Sequence, residues 1–117
     1  MQEHSIQNQI RIAISENRLG ACFRVNVGQA WTGERIERNS DGSITIYKPR
    51  PFKSGLPEGF SDLFVISPGG FASFLEVKSE KGRPTKQQVN FLEQMQNLGA
   101  RAGMVRSVSD ALNLLRS

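Results

Sequence analysis

A chain of 117 residues, 38% hydrophobic and 22% charged, has the make-up of a globular protein and the length of one domain, expected to run over 1–117. Such a chain buries roughly two-thirds of its unfolded surface, enough for a core without disulfide or metal staples. Its 15 Lys and Arg against 11 Asp and Glu leave a net charge of +4, which admits a polyanionic partner, and the lone cysteine, Cys22, excludes an internal disulfide and a cysteine-based zinc site. A single thiol fits a reducing, cytoplasmic compartment. No apolar run reaches the length of a membrane span, and the polar start "MQEHSIQNQIRIAIS" lacks the pattern of a signal peptide.

In chain order, Ile6, Ile10, Ala13 and Ile14 fall at helical spacing and predict an amphipathic helix from Gln2 to about Arg18. "ACFRVNV" (Ala21 to Val27) alternates and reads as a strand; "GQAWTG" reads as a loop. "ERIERNSDGSITIYK" predicts two short strands around a turn at Asn39-Ser40-Asp41-Gly42. "PRPFKSGLPEGF" is rich in Pro and Gly and is expected to be a long loop. Two apolar strands follow, "DLFVI" and "FASFLEVK", around Ser67-Pro68-Gly69-Gly70. A four-residue turn there pairs Ile66 with Phe71 and sets Asp62 opposite Leu75, at the start of its strand and beside Glu76. Gln88, Phe91, Leu92 and Met95 mark a helix, with Gly99 where a C-terminal cap belongs. "ARAGMVRS" reads as a short strand and "SVSDALNLLRS" as a closing amphipathic helix. The order α-β-(β-β)-β-β-α-β-α is mixed α/β, a central sheet with helices on its faces.

Chemistry concentrates around the strand Phe74-Leu75-Glu76-Val77-Lys78. Side chains alternate along a strand, so Glu76 and Lys78 face the same way as Phe74, and Leu75 and Val77 face the other. With Asp62 on the neighbouring strand, two carboxylates lie close together. They repel, and one pKa rises, unless a positive charge lies between them. Hard oxygen ligands favour Mg²⁺ or Mn²⁺ in that position. On either side the chain is basic: "KPRPFK" offers Lys48, Arg50 and Lys53, and "KGRPTK" offers Lys81, Arg83 and Lys86, with no acid in either. Both suit a phosphate backbone, and both also suit plain solvated loops.

Asp62-x13-Glu76-Val77-Lys78 resembles the motif of the PD-(D/E)xK nuclease superfamily. Its surroundings narrow the resemblance. "EHSIQNQI" at Glu3, "NVGQAW" at Asn26, "GLPEGFSDL" at Gly55, "FLEVKSEKGRPTKQQVNFL" at Phe74 and "GARAGMVRSVSDAL" at Gly99 are similar, in order, to the VRR-NUC (virus-type replication-repair nuclease) family. They span essentially the whole chain, as in a stand-alone member. Ser61 departs from the proline that the superfamily often has before the first acid. The resemblance implies a restriction-endonuclease-like fold and a metal-dependent DNA endonuclease. It implies Asp62 and Glu76 as metal-binding acids, the Val77 backbone carbonyl as a third oxygen ligand and Lys78 as the catalytic lysine. Glu3 would be an additional acid, acting on the metal directly or through water, and Gln88 would orient water or substrate. Stand-alone members resemble Holliday-junction resolvases working as two-fold dimers, so branched DNA and a homodimer are the implied partners, with the Glu34–Tyr47 hairpin as the expected interface. A phage source, acting in a host cytoplasm, would suit this resemblance. Nicking, flap cutting, restriction or defence chemistry, or a DNA-binding module without activity, are the alternatives.

Bland roles compete for the same residues. Glu3 suits a helix N-terminus through the macrodipole, although Glu3, Gln7, Ile10 and Ile14 form one stripe that should meet the sheet. Thr85-Lys86-Gln87-Gln88 fits a capping box, which would occupy Gln88. Glu76 and Lys78 could be a plain same-face ion pair. Trp31, Tyr47 and Phe52 lie near basic residues and suit either base stacking or packing. His4 is the lone histidine, Ser73 and Ser79 have no basic partner, and Gly55 and Gly59 lack the Lys-Ser/Thr end of a phosphate loop. Histidine triads, acyl transfer and a nucleotide cofactor are thereby excluded.

Overall fold

The computed structural model describes residues 2–25, 29–53 and 55–117, which form two compact units: residues 1–25 with 58–117, and residues 26–57. In the larger unit the isoleucine stripe folds as the helix its spacing predicts, α1 (Glu3–Glu16), with Ile6, Ile10 and Ile14 buried. Strands β1 (Ala21–Arg24), β6 (Leu63–Ser67), β7 (Phe71–Val77) and β8 (Arg101–Val105) form one sheet in the order β1-β6-β7-β8. The first two pairings are antiparallel and the last is parallel, so the sheet is mixed. The parallel step is bridged by α2 (Lys86–Asn97), as a crossover connection requires. The chain closes with α3 (Val108–Arg116).

Alternation along the strands sorts two apolar layers. Leu63, Val65, Leu75, Val77 and Val105 pack with Ile6, Ile10 and Ile14 of α1 and with Ala111 and Leu115 of α3. On the opposite face Phe74 and Ala102 pack with Phe91 and Leu92 of α2, joined by Phe60 and Phe64. A central mixed sheet with helices on both faces is the restriction-endonuclease-like arrangement implied by the sequence. Among the described residues no helix is long and apolar enough to cross a membrane.

The β6–β7 register differs from the expected one. Ser67, not Ile66, pairs with Phe71, and Leu63 pairs with Leu75. Gly69 and Gly70 both take positive φ (90° and 82°), which lets Pro68-Gly69-Gly70 close the hairpin in three residues, with the Gly70 N–H donating to the Ser67 carbonyl. Directly paired residues share a face, so this one-residue difference decides where Asp62 points. Extending the observed register by one residue sets Asp62 opposite Glu76 rather than Leu75.

The smaller unit is a two-stranded ribbon. Its strands β2 (Gln29–Thr32) and β5 (Arg50–Lys53) pair, as do β3 (Arg35–Arg38) and β4 (Ile44–Tyr47), and the two ladders keep a single register. The expected β3–β4 hairpin is present, its turn held by Asp41, whose Oδ1 accepts from the Ser43 N–H and hydroxyl. The loops expected at 28–33 and 49–60 are corrected in part, since β2 and β5 occupy much of them. Pro51 sits on β5 as an outer strand of a two-stranded pair allows. Asn26, Val27 and Gly28, expected to end one strand and begin a loop, lie outside the described residues, as does Ser54.

The layer beneath β7 sets stability. Leu75 is fully buried between the helices and the sheet. Leu75→Ala should lower the unfolding free energy by about 2–5 kcal/mol, measured by denaturant titration.

Candidate functional site

Glu76 lies on the α2 side of the sheet, the same side as Phe74, and is 1% exposed. A carboxylate so buried needs partners, and two side chains supply them, both at one oxygen. Gln88 Nε2 donates to Glu76 Oε1 at 2.9 Å. Lys78 Nζ stands 3.9 Å from the same oxygen. Asp62, just before β6, is the second acid, and its Oδ2 accepts the Val77 N–H at 2.8 Å. Glu76 Oε2 is buried and has no hydrogen-bond partner. Burial first, and then the negative charge of Asp62, push the Glu76 pKa up from an ordinary 4.5 to about 8, with Lys78 opposing the rise.

Several local features bring Asp62 here. Gly59, at φ 88°, runs against the first turn of α2, where a Cβ would come within 2.3 Å of the Gln87 carbonyl oxygen. Phe60 anchors the segment on Phe91 and Phe74, with ring centroids 4.6 and 5.8 Å away. Ser61, in place of the superfamily's proline, is fully buried and donates its hydroxyl to the Leu63 carbonyl. The Asp62 carbonyl accepts from the Val25 N–H at 2.8 Å, tying the turn to the chain beyond β1.

Gln88 forms the expected capping box and also reaches Glu76. Thr85 caps α2: its Oγ1 accepts the Gln88 N–H at 3.2 Å, and Gln88 Oε1 accepts the Thr85 N–H at 2.8 Å. The capping bond fixes which way the amide points. With Oε1 committed to the cap, Nε2 must face outward, and it meets Glu76. Cap and site are two ends of one side chain.

Glu3 sits in the first turn of α1, and its stripe faces inward as expected, with Gln7 half-buried and Ile10 and Ile14 fully buried. Its carboxylate lies against the loop after Lys78: a Cβ on Gly82 would stand 3.3 Å from Glu3 Oε2. Among the described residues no group of three or more His, Cys, Asp or Glu side chains converges as an ion cage. Glu3 is therefore not gathered with Asp62 and Glu76 into a three-acid cluster. Lys81 and Arg83 lie on the connection between β7 and α2, and Lys86 is the first residue of α2. No carboxylate pairs with any of the three among the described residues. In the ribbon, Arg50 and Lys53 lie on strand β5, and Lys48, at φ 50°, pairs with Glu34 at 3.2 Å. Trp31, Tyr47 and Phe52 belong to the same ribbon and are exposed, so none is a core residue.

Sequence reasoning missed Arg106. Its Nη1 donates to three carbonyls of the loop after β7, those of Ser79, Glu80 and Gly82. The contacts span 24 to 27 residues, and no local signal in "MVRSVS" announces them.

The donor set fits a divalent cation. A buried carboxylate oxygen without a partner, a second carboxylate beside it and a raised pKa describe a site short of positive charge. Two carboxylates are hard oxygen donors of the kind Mg²⁺ takes, and they leave room for the several waters it keeps.

A model of the VRR-NUC domain matches residues 1–109. The chain belongs to the VRR-NUC family. A solved structure described as a VRR-NUC domain shares the fold, with a TM-score of 0.64 at 20% identity, covering 97% of this chain and 94% of the other. A comparison with curated protein sequences gives no match. VRR-NUC is a nuclease family, and membership supports a nuclease function with DNA as the partner.

The raised Glu76 pKa has a signed consequence for the metal-free VRR-NUC fold. The folded chain holds the proton more tightly than the unfolded one, so this contribution to stability is complete below pH 4.5 and is lost as pH rises through about 8. In EDTA, Glu76→Gln should gain thermal stability relative to the wild type across that window. Paired melting curves with a constant offset would contradict the assignment.

Proposed function

We propose that this VRR-NUC protein is a divalent-metal-dependent DNA endonuclease selective for branched DNA such as four-way junctions, acting as a homodimer. The observation that carries the reading is Glu76: buried, raised in pKa and with one oxygen unpartnered, between Asp62 and Lys78. Asp62, Glu76 and the Val77 carbonyl would hold Mg²⁺ or Mn²⁺, with Glu3 reaching it through water. Such an ion supplies Lewis-acid stabilisation of the charge that builds on the phosphate and the leaving oxygen.

The chain's own residues do the rest. Gln88 keeps Glu76 Oε1 occupied, which leaves Oε2 for the ion. Asp62 is steadied by the Val77 N–H through Oδ2, which leaves Oδ1 free of that bond. Lys78, 12% exposed at its side chain, places an ammonium where a scissile phosphate gains negative charge as water attacks phosphorus and the sugar oxygen departs. Lys81, Arg83 and Lys86 lack carboxylate partners among the described residues, so they are available to phosphates. Lys86 stands at the first residue of α2, where the macrodipole disfavours a cation. A phosphate contact there would offset that cost. Lys48, Arg50 and Lys53 are assigned the same role from the ribbon.

The dimer reading draws on the ribbon. A two-stranded ribbon alone is marginal in water, and Trp31, Ile36, Ile44 and Phe52 are each more than half exposed on this one. A two-fold pair would match the symmetry of a four-way junction.

Labelled four-way junction, flap, linear duplex and single-stranded DNA, incubated with Mg²⁺, Mn²⁺ or EDTA, test the reading. Symmetric nicking of the junction is expected, absent in EDTA and reduced about a hundredfold or more in Glu76→Ala and Lys78→Ala. Preference for another substrate would discard junction selectivity and keep the chemistry. No cleavage by folded wild type would leave a DNA-binding module. Sedimentation should give a dimer at micromolar concentration, and a monomer with and without junction DNA would remove the two-fold model.

A further inference from the structure

The geometry assigns Arg106 as a positioning residue: it holds the Ser79–Gly82 loop so that the basic segment after the Lys78 strand is ordered before DNA arrives. Both ends of that segment are fixed by other means. At one end the Lys78 N–H donates to the Val105 carbonyl at 3.0 Å, continuing the β7–β8 ladder. At the other, the capping box fixes Thr85. Between them the carbonyls of Ser79, Glu80 and Gly82 converge, the last two 3.1 and 2.7 Å from Arg106 Nη1. Converging carbonyl dipoles repel each other, and a cation at their focus turns repulsion into charge-assisted hydrogen bonding. Arg106 is half-buried, and its backbone N–H is held by Asp110 Oδ2 at 2.9 Å at the start of α3. Its other terminal nitrogen faces Met104 Sδ at 3.8 Å. The guanidinium pairs with no carboxylate among the described residues, and its charge is directed at the loop carbonyls.

Lys81 lies within the clamped loop and Arg83 directly after it. A loop already ordered loses little entropy on meeting the phosphate backbone; an unclamped loop pays that cost at binding. Loss of Arg106 should therefore weaken DNA binding more than it slows the chemical step. This consequence rests on the nuclease reading; the clamp itself does not.

Two measurements on Arg106→Ala and Arg106→Lys separate them. Trypsin cuts Lys81–Gly82 but not Arg83–Pro84, so cleavage at Lys81 reports loop order directly. In Arg106→Ala that cleavage should quicken about tenfold, against an unchanged rate of global unfolding. Kinetics should show KM for DNA raised about tenfold with kcat changed less than about twofold, and Kd measured in Ca²⁺ should rise in step. Arg106→Lys, which keeps a cation within the loop's reach, should recover part of both effects. Unchanged protection at Lys81 overturns the clamp. Lost protection with unchanged Kd and KM overturns its role in binding, as does a loss carried by kcat. A wild type that binds DNA but cuts none removes the nuclease reading alone, since proteolysis and Kd still decide the clamp.

Discussion

The repulsion between Asp62 and Glu76 is the constraint around which the larger unit is organised. Two carboxylates at the margin of an apolar core are unfavourable to fold, and burial first, then the charge of Asp62, push the Glu76 pKa up. The surrounding bonds mitigate the repulsion without cancelling it. Lys78 contributes charge at one oxygen, Gln88 a hydrogen bond at the same oxygen, and the Val77 N–H steadies Asp62. The other Glu76 oxygen is left without a partner. Folding thus leaves a deficit of positive charge at one place, as expected of a site that trades stability for chemistry.

Elements of secondary structure serve this site from outside it. The capping box of α2 is an ordinary helix start, yet it orients the Gln88 amide toward Glu76. Gly59 allows the segment before Asp62 to press on that same helix turn. Arg106 secures the connection that leaves Lys78. Each is a small, local device, and the site's geometry is their sum. A change at Thr85 or Gly59 would reach Glu76 without touching it, as supporting shells elsewhere do.

How far the sequence foretold this follows from the range of each signal. The isoleucines of α1, the alternation of β7 and the Gln88-Phe91-Leu92-Met95 pattern of α2 are local and periodic, and all three elements formed where they were expected. The faces of Glu76 and Lys78 followed from the same alternation. The β6–β7 register did not, because turn length depends on whether two consecutive glycines adopt positive φ, and periodicity is silent on that. β2 and β5 were hidden by their neighbours in Pro- and Gly-rich sequence; a pairing partner across the ribbon outweighed local propensity. Arg106 was illegible for a different reason. Its partners are backbone carbonyls, which carry no residue identity, and they lie far away in the chain. The family resemblance supplied the roles of Asp62, Glu76 and Lys78, and the fold brings these three together with Gln88. Glu3 it places against the loop instead.

The three-residue turn Pro68-Gly69-Gly70 bears on how such a chain can diverge. Side chains on paired strands change face with every single-residue slip, so gaining or losing one residue there would turn Asp62 away from Glu76 unless a bulge absorbed it. Length changes should be purged from this turn even where its residues drift. The ribbon carries no such pairing of acids, and its tip at Asn39–Ser43 is free to lengthen or shorten. Within one small protein, the gaps accepted over evolutionary time should therefore gather in one hairpin and avoid the other.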